Sequence, residues 1–357
     1  MAGITTMYFP GRCRFWWDVG VPGYEEAWMR YASFLYRGRR AAGIVQEQLI
    51  HPLDVELVKL IGRDVFEVRH ATGRALREPG IPLADVVLGA PLEPPTVRDF
   101  VAFEEHVEGV RRSVSKAEGV PDRWYAAPTF YFTNPYAVVG TGAEIRMPPG
   151  GEVLDFELEV AAIIGTGGRD LTPEQAREHI FGYAIFNDWS ARDLQSAEME
   201  VGLGPCKGKD FAATLGPWIV SADELEPYRD DEGFLRLGMS VSVNGQEIGR
   251  DLLSNMGWPF EDLVAYASRG AEVRPGDVLG SGTCGNGGCL AELWGRSGER
   301  VPRPLAPGDV VTMTVEGIGT ITNTIAEGID PHPIPAARHR PRARPHTFSA
   351  PWPRPHT

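Results

Sequence analysis

The stretch Gly151–Gly165, GEVLDFELEVAAIIG, decides how this chain is read. It has the apolar density of a buried β-strand, yet Asp155, Glu157 and Glu159 recur at every second position. Side chains along a strand alternate faces with a period of two, so the three carboxylates are predicted to share one face. Like charges crowded on a buried face repel each other and lose their hydration. That face must therefore meet water or hold a bound cation, with Asp155 as an exposed edge charge or a supporting group behind Glu157 and Glu159.

On both sides of this strand the chain is rich in short β-type runs. From Pro128 to Gly328 these are YAVVG, FGYAIFND, PWIV, LRLGMSVSVNG, DVLGSGT and DVVTMTVEGIGTITNTI, separated by glycine turns. One helix is announced by LTPEQAREHIFG, where Thr172 is placed as N-cap, Pro173 at the first helical position and Gln175 to close a capping box. A second is predicted near FEDLVAYASRG, ending at Gly270. Upstream, Phe100, Phe103, Val107, Val110 and Val114 form a helical stripe through VRDFVAFEEHVEGVRRSVSKAEG, with Thr96 as its cap and Asp99 three residues on. The pattern predicts an α+β, β-dominated fold and not a repeating βαβ sheet. Residues 1–92 read as a small mixed module, with a helix in GYEEAWMRYASFLYRG and a strand pair in AAGIVQEQLIHPLD. Residues 93–330 read as the main domain. Residues 331–357 hold eight Pro, five Arg and no acid, which predicts a disordered tail.

Composition narrows the function. With 357 residues, 43% of them hydrophobic, the chain can build a substantial core. Its net charge of -13 lacks the basic footprint of a nucleic-acid binder. Its four cysteines, Cys13, Cys206, Cys284 and Cys289, are too few and too scattered for a disulfide scaffold; Cys284 and Cys289 could ligate a metal, but with no second Cys or His pair nearby they read as ordinary loop cysteines. No apolar run is of membrane-spanning length, and the first residues lack a basic start followed by an apolar core. The expectation is a cytoplasmic protein with neither nucleic acid nor membrane as partner.

The chemistry is concentrated after the acidic strand. In FGYAIFNDWSARDLQ a strand ends at Asp188, with Arg192 and Gln195 close behind. A carboxylate on a rigid strand end is well placed to ligate a metal. Glu157, Glu159 and Asp188 suit a hard divalent cation, Mg²⁺ or else Ca²⁺ or Mn²⁺. Zinc fits less well, because no His or Cys stands at ligand spacing. Lys209 follows in a glycine-rich loop, LGPCKGKDFAATLGPW, where an ordinary lysine would be solvated.

DFELEVA, FNDWSARDLQ, LGPCKGKDFAATLGPW, RPGDVLGSGT and VEGIGTITNTI, in this order, resemble the fumarylacetoacetate hydrolase family across roughly residues 90–330. The resemblance implies a mixed β-sandwich roll of the fumarylacetoacetase C-terminal type and a homodimer. It implies Glu157, Glu159 and Asp188 as metal ligands. Asp99 would join them if the seven-residue spacing to His106 in DFVAFEEH is the family's Asp-to-His spacing; helix capping is the other reading of Asp99. It further implies His106 and Lys209 as catalytic groups, with Arg192, Gln195, Tyr131 and Thr283 touching substrate. Small members pair the histidine with a Glu three residues later, but here that position is Gly109. Glu292, in CLAELWG, is the matching partner in larger members, the other reading being a rim carboxylate on a strand.

The implied reaction is Mg²⁺-dependent hydrolysis of a carbon–carbon bond in a small β-diketo acid, of the acylpyruvate, fumarylpyruvate or fumarylacetoacetate kind. The alternatives are a 2-oxo acid tautomerase, isomerase, decarboxylase or hydratase using the same site, or a metal-binding scaffold without turnover.

Overall fold

A computed structural model describes residues 29–115 and 117–338. The quoted stretch lies at the centre of its largest sheet. Leu158–Ile164 is a strand with every residue buried, flanked antiparallel by Ile180–Asn187 on one side and Val278–Gly280 on the other. The sheet has twelve strands. Beyond Ile180–Asn187 it continues through Ala213–Ser221 to Arg30–Tyr36, Arg39–Gln46 and Leu49–Pro52. Beyond Val278–Gly280 it continues through Val97–Phe100 to Phe130–Thr133.

Both faces of the central strand are covered, which is why its apolar run is continuous rather than alternating. Val160, Ala162 and Ile164 join Met239, Val241, Met313 and Ile321 in the core shared with a second sheet of five strands. Ala161 and Ile163 face the helices Leu57–Ile61 and Val65–Ala75, packing with Leu60, Ile61 and Val68. The fold is α+β with sheets dominant, as the strand pattern predicts. No helix among the described residues is long and apolar enough to cross a membrane.

Several expectations hold in detail. Thr172 and Gln175 form the reciprocal capping box on the Pro173–Glu178 helix. Phe260–Ala267 is a helix, and Gly270 takes a positive φ just beyond it. The strand pair of AAGIVQEQLIHPLD forms as Arg39–Gln46 with Leu49–Pro52.

Others are corrected. GYEEAWMRYASFLYRG is not a helix where it is described. Arg30–Tyr36 is a strand paired with Arg39–Gln46 and Ala213–Ser221, burying Tyr31, Ala32 and Phe34. Aromatic residues favour the pleated surface, and tertiary pairing decides the rest. The helix expected from Thr96 starts only at Glu104. Val97–Phe100 is a strand, parallel to Val278–Gly280, and the Thr96 hydroxyl donates to Asp277 instead of capping a helix. The strand expected over the whole acidic stretch is interrupted: Leu154–Asp155 pairs with Ser190–Ala191, and the ladder resumes at Leu158. Of the predicted tail, residues 331–338 are exposed and carry no helix or strand, while the expectation for 339–357 lies outside the described residues, as does that for the first 28.

Candidate active site

Strand pairing, antiparallel around Glu159 and parallel at Asp99, brings the chemistry to one end of the central sheet. Glu159 stands at the start of its strand opposite Phe186, so Asp188, just past the end of the neighbouring strand, lies at the same end. Asp99 and Gly280 are register partners, and Tyr131 is opposite Asp99 on the next strand. Gly280 is required there: a Cβ at 280 would lie 2.5 Å from Asp99 Oδ1 and 2.9 Å from Glu159 Oε2. Its absence gives two carboxyls the space they occupy. Because Asp99 sits within a strand, the helix-capping reading of it does not apply.

The site is a buried charge cluster. Asp99, Asp155, Glu157, Glu159 and Asp188 are all at most 4% exposed, and the buried cations among them are Lys209 and Arg192. Lys209 Nζ donates to Glu157 and to Asp188 Oδ2, the latter at 2.5 Å. The Tyr131 hydroxyl donates to the same Asp188 oxygen at 2.5 Å. Arg192 donates to Asp155 at 2.9 Å, to Glu157 at 2.7 Å and to Gln195 at 3.0 Å. Glu159 accepts from the Gly282 N–H at 3.1 Å and the Thr283 hydroxyl at 3.3 Å.

Five buried carboxylates against two buried cations leave an excess of negative charge. The protonation pattern registers it. Burial resists ionisation of Glu157, but the Lys209 and Arg192 charges overcome it and hold that carboxyl well below the usual range. Asp99 is only partly eased by a hydrogen bond with Glu159 and the Lys209 charge, and Glu159 has no such help. Burial, followed by the charge of Asp188 on Asp99 and of Asp99 on Glu159, raises both well above ordinary carboxylates. Oxygens of Asp99, Glu157 and Asp188 lie within 4.8 Å of one another, and the Oδ1 atoms of Asp99 and Asp188 are buried without a hydrogen-bond partner. Orphaned acceptors around an uncompensated negative centre fit a hard divalent cation, the ion that prefers such oxygens.

His106 reaches this cluster from the Glu104–Val110 helix. It is buried, with Nε2 4.0 Å from Glu157 Oε1 and Nδ1 3.7 Å from the Cys289 sulfur. Burial, opposed by Glu157 and reinforced by Arg192 and Lys209, lowers the imidazole to about 4, so the ring is neutral near pH 7.

Glu292 is not on a strand. It lies fully buried in the first turn of the Leu290–Ser297 helix, where Oε1 forms an ion pair with Arg296 at 2.8 Å and accepts from the Gly287 N–H at 3.4 Å. A Cβ at position 109 would stand 2.5 Å from Glu292 Cγ. The side chain missing at Gly109 thus makes room for the stem of Glu292.

Two residues differ from their sequence-based reading. Asp155 is completely buried, which excludes the edge charge and fits the alternative of a supporting group, linked to Glu157 through Arg192. Besides Arg192, it accepts the N–H groups of Leu290 and Ala291 at 2.8 and 3.0 Å, so it anchors the start of the Glu292 helix. Cys289, read as an ordinary loop cysteine, caps that helix through its sulfur and touches His106. The alternation of charges in DFELEV marks Asp155, but no local signal marks Cys289, since 183 residues separate it from His106.

The family model described as fumarylacetoacetate (FAA) hydrolase C-terminal matches residues 96–326. A fumarylacetoacetase of Arabidopsis thaliana is 32% identical in an alignment 241 residues long that covers 55% of this chain and 57% of that one, so this chain spans little more than half of that relative's length. A solved fumarylacetoacetate hydrolase from Exiguobacterium antarcticum is 27% identical, with a TM-score of 0.64 over 84% of this chain and 99% of its own. A solved 2-hydroxyhepta-2,4-diene-1,7-dioate isomerase from Mycobacterium marinum is 26% identical, with a TM-score of 0.60 over 84% of this chain and 98% of its own.

Proposed function

The chain belongs to the fumarylacetoacetate hydrolase family, and from that premise we propose that it hydrolyses a carbon–carbon bond in a small β-diketo acid with the help of a divalent cation, Mg²⁺ first among the hard ions. The observation that carries this reading is the buried His106 imidazole 4.0 Å from Glu157, in a carboxylate cage where Asp99 Oδ1 and Asp188 Oδ1 have no hydrogen-bond partner.

Asp99, Glu157, Glu159 and Asp188 would hold the ion. When bound, it supplies Lewis-acid stabilisation for negative charge on the substrate's 2-oxo acid oxygens. His106 takes a proton from water, and the resulting hydroxide adds to the distal carbonyl. The bond to the neighbouring carbon then breaks, its electron pair leaving as the enolate of the 2-oxo acid fragment, which is reprotonated to product. Lys209 and Tyr131, both hydrogen-bonded at Asp188, are assigned to the developing enolate oxygen and the substrate carboxylate. Gln195, its carbonyl fixed by Arg192, offers its amide N–H groups to the same oxygens. Arg192 is committed to Asp155 and Glu157, and its part is to hold Glu157 ionised.

One observation favours a second reading, isomerisation or decarboxylation through the same enolate. Glu292 is engaged with Arg296 rather than with the imidazole, so a His–Glu pair for water activation is not assembled. The solved isomerase of similar fold also points this way.

The test is product identification. Protein stripped with a chelator, then supplied with Mg²⁺, should convert an acylpyruvate to pyruvate and a carboxylic acid in equal amounts, and the chelated protein should not. Release of CO₂ or an isomer without those two products would replace hydrolysis with the second reading.

A further inference from the structure

Beside the all-oxygen cage lies a donor set of a different chemical kind. The His106 ring, the Cys289 sulfur and a Glu157 oxygen come within 4.8 Å of one another, all three buried. Nδ1 to Sγ is 3.7 Å, and Nε2 to Glu157 Oε1 is 4.0 Å. Tetrahedral zinc, with bonds near 2.3 Å to sulfur and 2.0–2.1 Å to imidazole nitrogen, holds those two donors about 3.5 Å apart. The Nδ1–Sγ pair is close to that spacing; one ion takes one ring nitrogen, so Glu157, which lies against Nε2, is the donor that must move.

We propose that His106, Cys289 and Glu157 form a soft-metal site that takes Zn²⁺, and that its occupancy shuts the enzyme down by removing the His106 lone pair. Nitrogen, sulfur and one carboxylate oxygen are the donors zinc selects, whereas Mg²⁺ prefers oxygen ligands and leaves the thiol alone. Hard and soft cations would therefore sort between two adjacent sets. Glu157 belongs to both, and its oxygens face different partners: Oε1 is toward Arg192 and His106, Oε2 toward Lys209. The sulfur is held in place, because it also accepts the Glu292 N–H as the cap of its helix. Arg192 and Lys209 oppose a nearby cation, but Arg192 is already paired with Asp155 and Glu157, and Lys209 with Glu157 and Asp188. Binding forms a zinc–sulfur and a zinc–nitrogen bond and releases the thiol proton to water, with no change of oxidation state. Metal binding stands on the donor geometry alone; only its inhibitory consequence rests on His106 being the catalytic base.

Cobalt reports these ligands by absorption. Protein with Cys13 and Cys206 replaced by serine, stripped and then held in excess Mg²⁺, is titrated with Co²⁺. A thiolate-to-cobalt charge-transfer band should grow to one equivalent per chain and vanish when Zn²⁺ is added. Cys289→Ser should lack the band while keeping the wild-type circular dichroism. His106→Gln, which leaves the helix cap intact, should weaken cobalt binding at least about 100-fold, the upper end of what loss of a mere supporting partner costs. A band that survives C289S, or cobalt taken up with no thiolate band, overturns the site. In parallel, Zn²⁺ should stop turnover of the Mg²⁺-loaded enzyme, a chelator should restore it, and C289S should resist the same Zn²⁺ relative to its own zinc-free rate. If the band forms as expected and Zn²⁺ leaves turnover untouched, the metal site stands and His106 as base is wrong.

Discussion

Asp155 and Glu292 are the residues whose burial changes their meaning. Asp155→Ala would leave the buried Arg192 with one carboxylate fewer and two helix N–H groups without acceptors. Removing one partner of a buried ion pair costs about 3–5 kcal/mol, and the denaturant midpoint should fall accordingly. Glu292 gives a pH signature. Burial, opposed by Arg296, raises its carboxyl from 4.5 to about 7. The folded protein thus keeps this proton to higher pH than the unfolded chain. The stability it contributes is fully present below pH 4.5 and is lost as pH rises through about 7. Glu292→Gln should remove that decline, so thermal melts of the variant should fall less than wild type between about pH 5 and about pH 8. A parallel fall in both proteins would mean that Glu292 is already ionised. At this scale the sequence revealed which residues carry charge but not which are buried together, because burial depends on partners more than a hundred positions away.

The elements that carry the site meet at a close crossing. The Glu104–Val110 helix bears His106, the Leu290–Ser297 helix bears Glu292, and they touch at Gly109 and Gly295. A Cβ at 295 would lie 1.9 Å from the Gly109 carbonyl oxygen, a clash with backbone that no rotamer relieves. Gly295→Ala should therefore push the helices apart, costing about 1–3 kcal/mol by overpacking. It should also lower turnover by moving His106, read as reduced kcat in a protein that still binds Mg²⁺. Unchanged stability would show that the crossing is loose. The capping box at Thr172 and Gln175 was legible because its signal is local. The Val97–Phe100 strand was not, since its apolar residues also fit a helical stripe and only pairing with Val278–Gly280 distinguishes the two. Arg30–Tyr36 was misread for the same reason.

Across the whole molecule, antiparallel pairing at Glu159 and parallel pairing at Asp99 convert residues scattered from Asp99 to Thr283 into one cluster at a sheet end. The ordered family motifs made most of that cluster legible in advance. Cys289 was not, because nothing near it in sequence refers to His106. Catalysis as proposed turns on this imidazole activating water while the carboxylate cage and its cation support the enolate. The decisive sample is Mg²⁺-loaded His106→Ala, with acylpyruvate hydrolysis and deuterium exchange at the carbon beside the 2-oxo group measured together. Hydrolysis should drop about 10²–10⁴-fold, the usual cost of losing a general base, while exchange survives in part. Hydrolysis by His106→Ala at the wild-type rate would contradict the claim.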